Sequence, residues 1–238
     1  STAGWLAKMG HRVLVVDLDP QGNATTGLCV DRASVDTSLY DVLFENNNVL
    51  DAICETDSGV YLLPSTQDML AADTLMAGQK NYPFFLRDSL KKTQEHFDFI
   101  LVDVPPGSTS LMVNGIVAAQ NIIIPLDVGI FAFETLETLK TLLIEVATDL
   151  GIETNVLMIL TKGFNTLFHV SPSNQVKRLV QEFFAENQMS HVNILNIPIS
   201  KKIVLSQIKG MPISHYAPFS DVSRAFKKVA KFIENPSY

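Results

Sequence analysis

The sequence predicts an α/β protein, a three-layer sandwich in which a mostly parallel sheet carries helices on both faces. Two observations predict this class. Runs such as residues 13–16 and 99–102 are apolar at every position, which is typical of strands buried on both faces. Helical segments alternate with these runs at spacings too long for hairpins, which implies β-α-β units. The 238 residues contain no linker and no internal repeat, so we expect a single domain over residues 1–238.

The predicted elements follow one another along the whole chain. Helices are predicted at residues 1–9, 37–45, 66–77, 84–96, 108–119, 133–149, 172–187, 202–208 and 220–234. Strands are predicted at residues 12–17, 60–64, 99–103, 121–125, 156–161 and 192–197. Gly10 ends the first helix, and Thr37 is placed to cap the second. Because the chain opens inside a helix, we expect a strand and a loop in front of it.

Composition and charge exclude several classes of protein. Hydrophobic residues make up 47% of the chain and charged residues 18%, which excludes a disordered protein. No apolar run reaches the ~18 residues of a membrane span. The two cysteines, Cys29 and Cys54, lack metal-ligand spacing and are predicted to be reduced thiols. The net charge of −7 is uneven, since residues 196–238 carry seven basic and two acidic side chains. This basic end is a candidate face for a polyanion.

Acidic residues stand where two predicted strands end. Asp17 and Asp19 follow the first strand, and Asp103 closes the strand at 99–103. Ligands of open α/β sheets bind at this edge. An aspartate there can hold Mg²⁺ in nucleotide hydrolases, although it can also cap the next helix or loop. Asp17 and Asp19 lie on one side of the chain, so a cation or backbone donors must neutralise them unless the loop is solvated.

Longer motifs extend this pattern over essentially the whole chain. They are VLVVDLDPQGNATTGL, LYDVLFE, VYLLPST, HFDFILVDVPPG, the strand IIIPL, and IPISKKIVLSQIKGMPI followed by FKKVAKFI. Together they closely resemble the ParA/Soj family of deviant-Walker ATPases, part of the ParA/MinD superfamily. The resemblance implies a P-loop NTPase-like fold, ATP and Mg²⁺ as cofactors, and a homodimer that forms on ATP binding. It also implies non-specific DNA binding and hydrolysis stimulated by a ParB-type centromere-binding protein.

The resemblance also assigns roles by position. It implies that Asp19 is the switch I acid that helps to position the attacking water, close to the metal. Asp103 resembles the Walker B acid behind Mg²⁺, and residues 105–107 resemble switch II. Asp17 and Pro20 are expected at the nucleotide. The segments on the adenine side are expected to begin at Thr161, Lys162 and Pro198.

The phosphate-binding loop of the family, K-G-G-x-G-K-[ST], does not occur in this sequence. The family's loop precedes the first helix, so its lysine is expected a few residues before Ser1. If Ser1 and Thr2 were instead the tail of the loop, the helix would be about a turn too short. We expect truncation, disorder or omission rather than a true loss. A chain that truly lacked the loop would bind ATP poorly, because the loop supplies backbone N–H groups and a lysine to the phosphates.

Basic residues near the C-terminus are the candidate DNA contacts. They are Lys201, Lys202, Lys209, Arg224, Lys227, Lys228 and Lys231. Those between 220 and 234 share a helix face, which is either a solvated surface or a stripe that contacts phosphates without reading sequence. Lys202 falls where a DNA-contacting arginine occurs in related proteins, so Lys201 and Lys202 are the leading candidates.

The function that these features favour is ATP-dependent partition of plasmid or chromosomal DNA by a cytoplasmic, nucleoid-associated ATPase. One alternative is a MinD-like ATPase that cycles on membranes. That function normally needs an added amphipathic C-terminal helix, whereas the fold itself uses the helix at 220–234, so we expect no stable membrane association. The other alternative is a non-hydrolysing module that keeps only the dimer or DNA surface.

Overall fold

The structure, a computed structural model, describes residues 1–76, 78–127, 132–163 and 193–235. The chain divides into two compact units. The first unit consists of Ser1–Ala119 and Lys202–Pro218, and the second consists of Gln120–Lys201 and Phe219–Tyr238. The expectation of a single domain over residues 1–238 stays a prediction.

The first unit is built on a four-stranded sheet. Its strands are β1 (Val13–Asp17), β2 (Cys54–Glu55), β3 (Tyr61–Leu63) and β4 (Phe99–Asp103). Their order is β2-β3-β1-β4, with β1 parallel to both of its neighbours and β2 antiparallel to β3. Every residue of β1 is buried, as its uninterrupted apolar run predicts for a central strand. The strand β2 was not predicted, because so short a strand has no periodic signal.

Helices of the first unit pack around a core of aliphatic side chains. They are α1 (Thr2–Lys8), α2 (Asn23–Gly27), α3 (Leu39–Phe44), α4 (Ala72–Met76), α5 (Phe85–Ser89), α6 (Thr109–Ala118), α8 (Lys201–Ile208, from Lys202 onwards) and α9 (Ile213–Tyr216). Buried core residues include Leu14, Val16, Leu39, Leu63, Met69, Leu86 and Leu111. The core therefore joins β1 and β3 to α3, α4, α5 and α6.

Helix boundaries differ from the sequence predictions at three places. The helix predicted at 66–77 starts as a 3₁₀ helix over Gln67–Ala71, and the one predicted at 84–96 ends as a 3₁₀ helix over Leu90–Thr93. Such turns are frequent at helix ends. Ser38 rather than Thr37 is the N-cap of α3, because the Ser38 N–H and hydroxyl both donate to the Asp41 carboxylate, at 2.6 and 2.8 Å.

The second unit contains a three-stranded parallel sheet. Its strands are β5 (Asn121–Asp127), β6 (Asn155–Gly163) and β7 (Asn193–Pro198), in the order β5-β6-β7. Its helices are α7 (Ala132–Leu150) and α10 (Asp221–Glu234), and α10 packs against β7. The helix predicted at 172–187 lies outside the described residues. The α/β class with mostly parallel strands is confirmed. Among the described residues, no helix combines the length and the hydropathy of a membrane span.

Candidate functional site

Two carboxylates stand side by side at the carboxyl edge of the first sheet. The register of β1 and β4 pairs Val13 with Phe99 and, four residues later, Asp17 with Asp103. The ladder continues one step further, because Leu18 N–H donates to the Asp103 carbonyl at 2.9 Å. The parallel pairing thus brings together acids that are far apart in the sequence. This is the edge at which ligands of open α/β sheets bind.

Asp17 is fully buried and its carboxylate is fixed by the loop that follows it. The Thr25 N–H and hydroxyl donate to Oδ2 at 2.8 and 2.7 Å, and the Asp19 N–H donates to Oδ1 at 3.1 Å. Burial raises the pKa of the Asp17 carboxyl, and these donors act against the rise because they favour the charged form. The hydrogen-bond donors that offset the charge of Asp17 are therefore backbone and hydroxyl groups of the loop that follows it.

Asp19 lies in the tight turn that follows β1 and is partly exposed. The Gln21 N–H donates to Asp19 Oδ1 at 2.9 Å, and the Gly22 N–H donates to the Asp19 carbonyl at 2.8 Å. Gly22 has a φ of 64°, a left-handed conformation that favours glycine. Pro20, also partly exposed, starts the turn. The turn leaves the Asp19 carboxylate at the open edge of the sheet while its backbone is fully bonded.

Asp103 is an exposed residue, yet the pKa of its carboxyl is raised to about 6. Partial desolvation of the carboxylate by the surrounding protein is the largest cause, and the charges of Asp17 and Asp19 add to it. The negative charge concentrated at this edge is the kind that a divalent cation offsets.

This charge predicts a pH dependence of stability. Because the pKa of Asp103 is about 6 in the folded chain and 3.8 in the unfolded chain, folded protein binds more protons between these values. The folded state is therefore stabilised by this proton uptake at low pH, and that stabilisation is lost as pH rises from about 4 to about 6. Asparagine has no charge to lose or gain, so Asp103→Asn removes the cost of the ionised carboxylate in the folded chain. With allowance for solvent screening, the variant should raise the free energy of unfolding by about 1 kcal/mol at pH 7, in the absence of Mg²⁺.

Urea unfolding at several pH values measures this difference between wild type and variant. Asp57→Asn, at an exposed position of a turn, is the control and should leave the pH profile unchanged. A gain for Asp103→Asn that is the same at pH 4 and pH 7 would contradict the prediction.

Two further residues, Thr25 and Arg32, connect the loop of Asp19 by hydrogen bonds to Ser65, just after β3. The Thr25 hydroxyl, which donates to Asp17, accepts a hydrogen bond from the Ser65 N–H at 3.1 Å. Arg32 donates to the carbonyls of Pro20, Gln21 and Ser65, at 2.6, 2.7 and 3.3 Å. Sequence reasoning missed both residues as parts of the site. Thr25 lies in the motif VLVVDLDPQGNATTGL without an assigned role, and Arg32 lies outside every motif, because the partners of both are set by the tertiary fold.

The segment after Asp103 is shaped by a glycine, a cap and a close helix contact. Gly107 has a φ of 88°, and Ser108 caps α6 by accepting a hydrogen bond from the Leu111 N–H at 3.3 Å. The Ser108 hydroxyl also donates to the Asp73 carboxylate at 2.9 Å. A Cβ at Gly115 of α6 would lie 2.6 Å from Val104, so glycine lets the helix approach the segment. The region predicted as switch II is therefore held at both ends.

The second unit carries the residues expected on the adenine side. Thr161 and Lys162 are in β6, and Pro198 ends β7. The register pairs Gly163 with Pro198, so all three predicted positions lie at the carboxyl edge of this sheet. Their assignment to nucleotide binding stays a prediction.

The basic residues predicted to contact DNA fall in both units. Lys201, Lys202 and Lys209 lie in or directly after α8 and are exposed. The others are Arg224, Lys227, Lys228 and Lys231 on α10. Arg224 forms an ion pair with Asp221 and donates to the Phe219 carbonyl at 2.7 Å, so its guanidinium already has partners in the first turn of its helix and just before it. Their binding to DNA stays a prediction.

The described residues contain no cluster of three or more His, Cys, Asp or Glu side chains that could hold a metal ion. Mg²⁺ does not require such a cluster, because it is usually bound through one or two carboxylates together with phosphate oxygens and waters. Asp103 and Asp19, the predicted metal residues, fit this donor set.

Comparison with known proteins finds similar sequences and similar folds. A family described as an AAA domain matches residues 1–158. The chromosome-partitioning ATPase Soj of Thermus thermophilus is 32% identical over 231 residues, which cover 96% of this chain and 86% of Soj. Cobyrinic acid a,c-diamide synthase of Mycobacterium smegmatis, solved with an ATP analogue and magnesium, has a TM-score of 0.81 at 23% identity and covers 98% of this chain and 86% of the synthase.

A cell-division relative shares the same fold. The septum site-determining protein MinD of Pyrococcus horikoshii, solved with Mg-ADP, has a TM-score of 0.74 at 24% identity and covers 99% of this chain and 88% of MinD. At such identities the two solved structures bear on the fold alone.

Proposed function

The chain belongs to the ParA/Soj family of partition ATPases, within the ParA/MinD superfamily, and we propose that it hydrolyses ATP to drive the partition of DNA. The observation that carries the proposal is the pairing of Asp17 with Asp103 at one sheet edge, with Asp19 in the turn that follows. The family consists of ATPases, and the acids here match in position the two motifs on which its chemistry depends.

The chemistry that we propose consists of positioning and charge neutralisation, without a covalent intermediate. Mg²⁺-ATP, when bound, supplies the transferable phosphoryl group and the charge that offsets the acids. Asp103 would hold the cation, directly or through water. The Asp19 carboxylate would orient the attacking water and accept its proton. Asp17 would act as a positioning residue, because its hydrogen bonds hold the turn that carries Asp19.

The nucleotide contacts of the second unit are also part of the proposal. Thr161, Lys162 and Pro198, at the carboxyl edge of β6 and β7, would contact the adenine side of ATP. Pro20 would lie beside the phosphates on the switch I turn. On ATP binding we expect a homodimer, which binds DNA without sequence preference and hydrolyses ATP faster when a ParB-type partner engages it.

Phosphate release by the full chain, which here means residues 1–238 together with the family's phosphate-binding loop ahead of them, tests the proposal. Residues 1–238 alone lack that loop and are expected to bind ATP poorly, because the loop supplies backbone N–H groups and a lysine to the phosphates. We expect slow hydrolysis of ATP that stops when Mg²⁺ is chelated and rises when DNA and the centromere-bound partner are added. Tight, Mg²⁺-dependent ATP binding without hydrolysis would support the non-hydrolysing module instead. Co-sedimentation with anionic liposomes in the presence of ATP would support the membrane-cycling alternative.

DNA binding makes a separate prediction. Replacing Lys201 and Lys202 by Glu should lower the affinity for random-sequence duplex DNA at least about 10-fold at low salt, because phosphate contacts dominate non-specific binding. The slope of log affinity against log salt should become shallower by about 2, or about 1 for each lost phosphate contact. Fluorescence anisotropy with labelled DNA, ATP and Mg²⁺ measures both quantities.

The chain offers a matched control for this experiment. Lys91 and Lys92 are likewise adjacent and exposed, on the 3₁₀ helix Leu90–Thr93. Replacing them by Glu makes the same change of net charge at residues that are not predicted to contact DNA and should leave most of the binding intact. Equal losses in both double variants would show that net charge alone sets the affinity.

A further inference from the structure

We propose that Arg32 is a positioning residue for hydrolysis, which holds the Asp19 turn in its active geometry. The inference rests on the proposed function, since it gives Arg32 a role in the reaction assigned to Asp19. Arg32 lies on a 3₁₀ helix, Arg32–Ser34, outside every motif that carries the family resemblance. Its side chain reaches back to the turn from this later part of the loop.

The guanidinium forms three hydrogen bonds to backbone carbonyls. Nη2 donates to the carbonyl of Pro20 at 2.6 Å, and Nη1 donates to that of Gln21 at 2.7 Å. These are the carbonyls of the two residues directly after Asp19. Nε donates to the Ser65 carbonyl, just beyond β3, at 3.3 Å. Arg32 thus connects the turn that carries the candidate catalytic acid to the edge of the sheet.

The fit around the guanidinium requires both an arginine and a glycine. The planar fork of arginine offers its donors in a fixed geometry, which lets one side chain bind adjacent carbonyls, whereas the ammonium of lysine is a compact point charge. A Cβ at Gly22 would lie 2.5 Å from Arg32 Nε, so the absence of a side chain there allows the guanidinium to lie flat on the turn.

The position of Asp19 depends on this turn. The Asp19 carboxylate accepts from the Gln21 N–H, and its carbonyl accepts from the Gly22 N–H, so both groups move if the peptides at 20–22 move. A displacement of about 1 Å in a group that orients a reactant can cost about 100-fold in rate. Arg32 is therefore expected to affect kcat more than the KM for ATP.

The test compares Arg32→Met, Arg32→Lys and the control Arg12→Met in the full chain. Arg12 pairs with Asp98 on an exposed surface, at 4.0 Å, and contacts no part of the turn. We expect Arg32→Met to lower kcat at least about 10-fold with less than about a 3-fold change in the KM for ATP, and Arg32→Lys to recover only part of the loss. Hydrogen exchange of the Gln21 and Gly22 amides should accelerate in the same order.

The outcomes separate this inference from the proposed function. If wild type and Arg12→Met do not hydrolyse ATP, the proposed function is wrong and the role of Arg32 falls with it. If they hydrolyse ATP and Arg32→Met does so with an unchanged kcat, only the role of Arg32 is wrong. A rise in KM with constant kcat would likewise overturn it, because that pattern marks uniform binding. A fall in kcat without faster exchange at residues 21–22 would also contradict it.

Discussion

Asp19→Asn is expected to lower kcat for ATP hydrolysis at least about 100-fold, because the amide cannot accept the proton of the attacking water. The substitution should leave the turn folded. The amide oxygen of asparagine can still accept the Gln21 N–H, which donates to Asp19 Oδ1 at 2.9 Å. ATP binding is therefore expected to persist while hydrolysis is lost. Phosphate release and nucleotide titration on the same full-chain preparation measure the two properties.

Asp31→Asn is a matched control for this variant. Asp31 is an exposed acid of the same loop, and its Oδ1 accepts the N–H of the residue two positions later, Ala33, at 3.0 Å. The two positions thus share their local hydrogen bonding and differ in their distance from the sheet edge along the loop. Asp31→Asn should retain nearly all of the activity. An Asp19→Asn variant that hydrolyses ATP within a few-fold of wild type would remove the proposed role of Asp19.

The parts of the fold that the sequence predicted are those with a local signal. The strand predicted at 99–103 has those bounds in the structure, because its apolar run ends abruptly at a charged residue. The strand β1 was likewise predicted from its uninterrupted apolar run. Short elements such as α2 and the 3₁₀ helix Arg32–Ser34 were missed, because their stability comes from contacts with distant residues.

The residues of the candidate site also divide into those with a local sequence signal and those positioned by distant contacts. Asp19 and Asp103 could be identified because their positions after buried strands are visible in the sequence. The sequence did not show that Asp17 and Asp19 differ in burial. The two acids lie two residues apart at the end of the strand, and only the folded loop buries Asp17 and leaves Asp19 partly exposed. The contacts that hold this loop are distant in the sequence: the Thr25 hydroxyl bonds Asp17, 8 residues away, and the Ser65 N–H, 40 residues away, and Arg32 bonds the Ser65 carbonyl, 33 residues away.

Thr25→Val tests how much this division depends on one hydroxyl. Valine has nearly the shape of threonine, so packing is preserved while both hydrogen bonds of Oγ1 are lost. Buried Asp17 loses a donor at 2.7 Å, and the Ser65 N–H loses its acceptor at 3.1 Å. Asp17 keeps its backbone donors, so it loses one hydrogen bond to a charged group, worth about 1.5–3 kcal/mol, whereas the Ser65 N–H is left unpaired at a cost of about 1–3 kcal/mol. We therefore expect the free energy of unfolding to fall by about 3 kcal/mol at pH 7. Urea denaturation with an unchanged m-value would measure this loss.

The pH dependence of the loss distinguishes the hydrogen bond to Asp17 from a packing defect. The Thr25 donors lower the pKa of Asp17, so removal of the hydroxyl allows that pKa to rise further. The variant then protonates Asp17 more readily, and its deficit relative to wild type should shrink as pH falls. Thr25→Ser keeps the hydroxyl and should lose only about 1 kcal/mol for one methyl group, whereas Thr26→Val, at the exposed neighbouring position, should change stability by less than about 0.5 kcal/mol. A deficit for Thr25→Val that is constant with pH, or equal to that of Thr25→Ser, would mean that Asp17 does not depend on this hydroxyl.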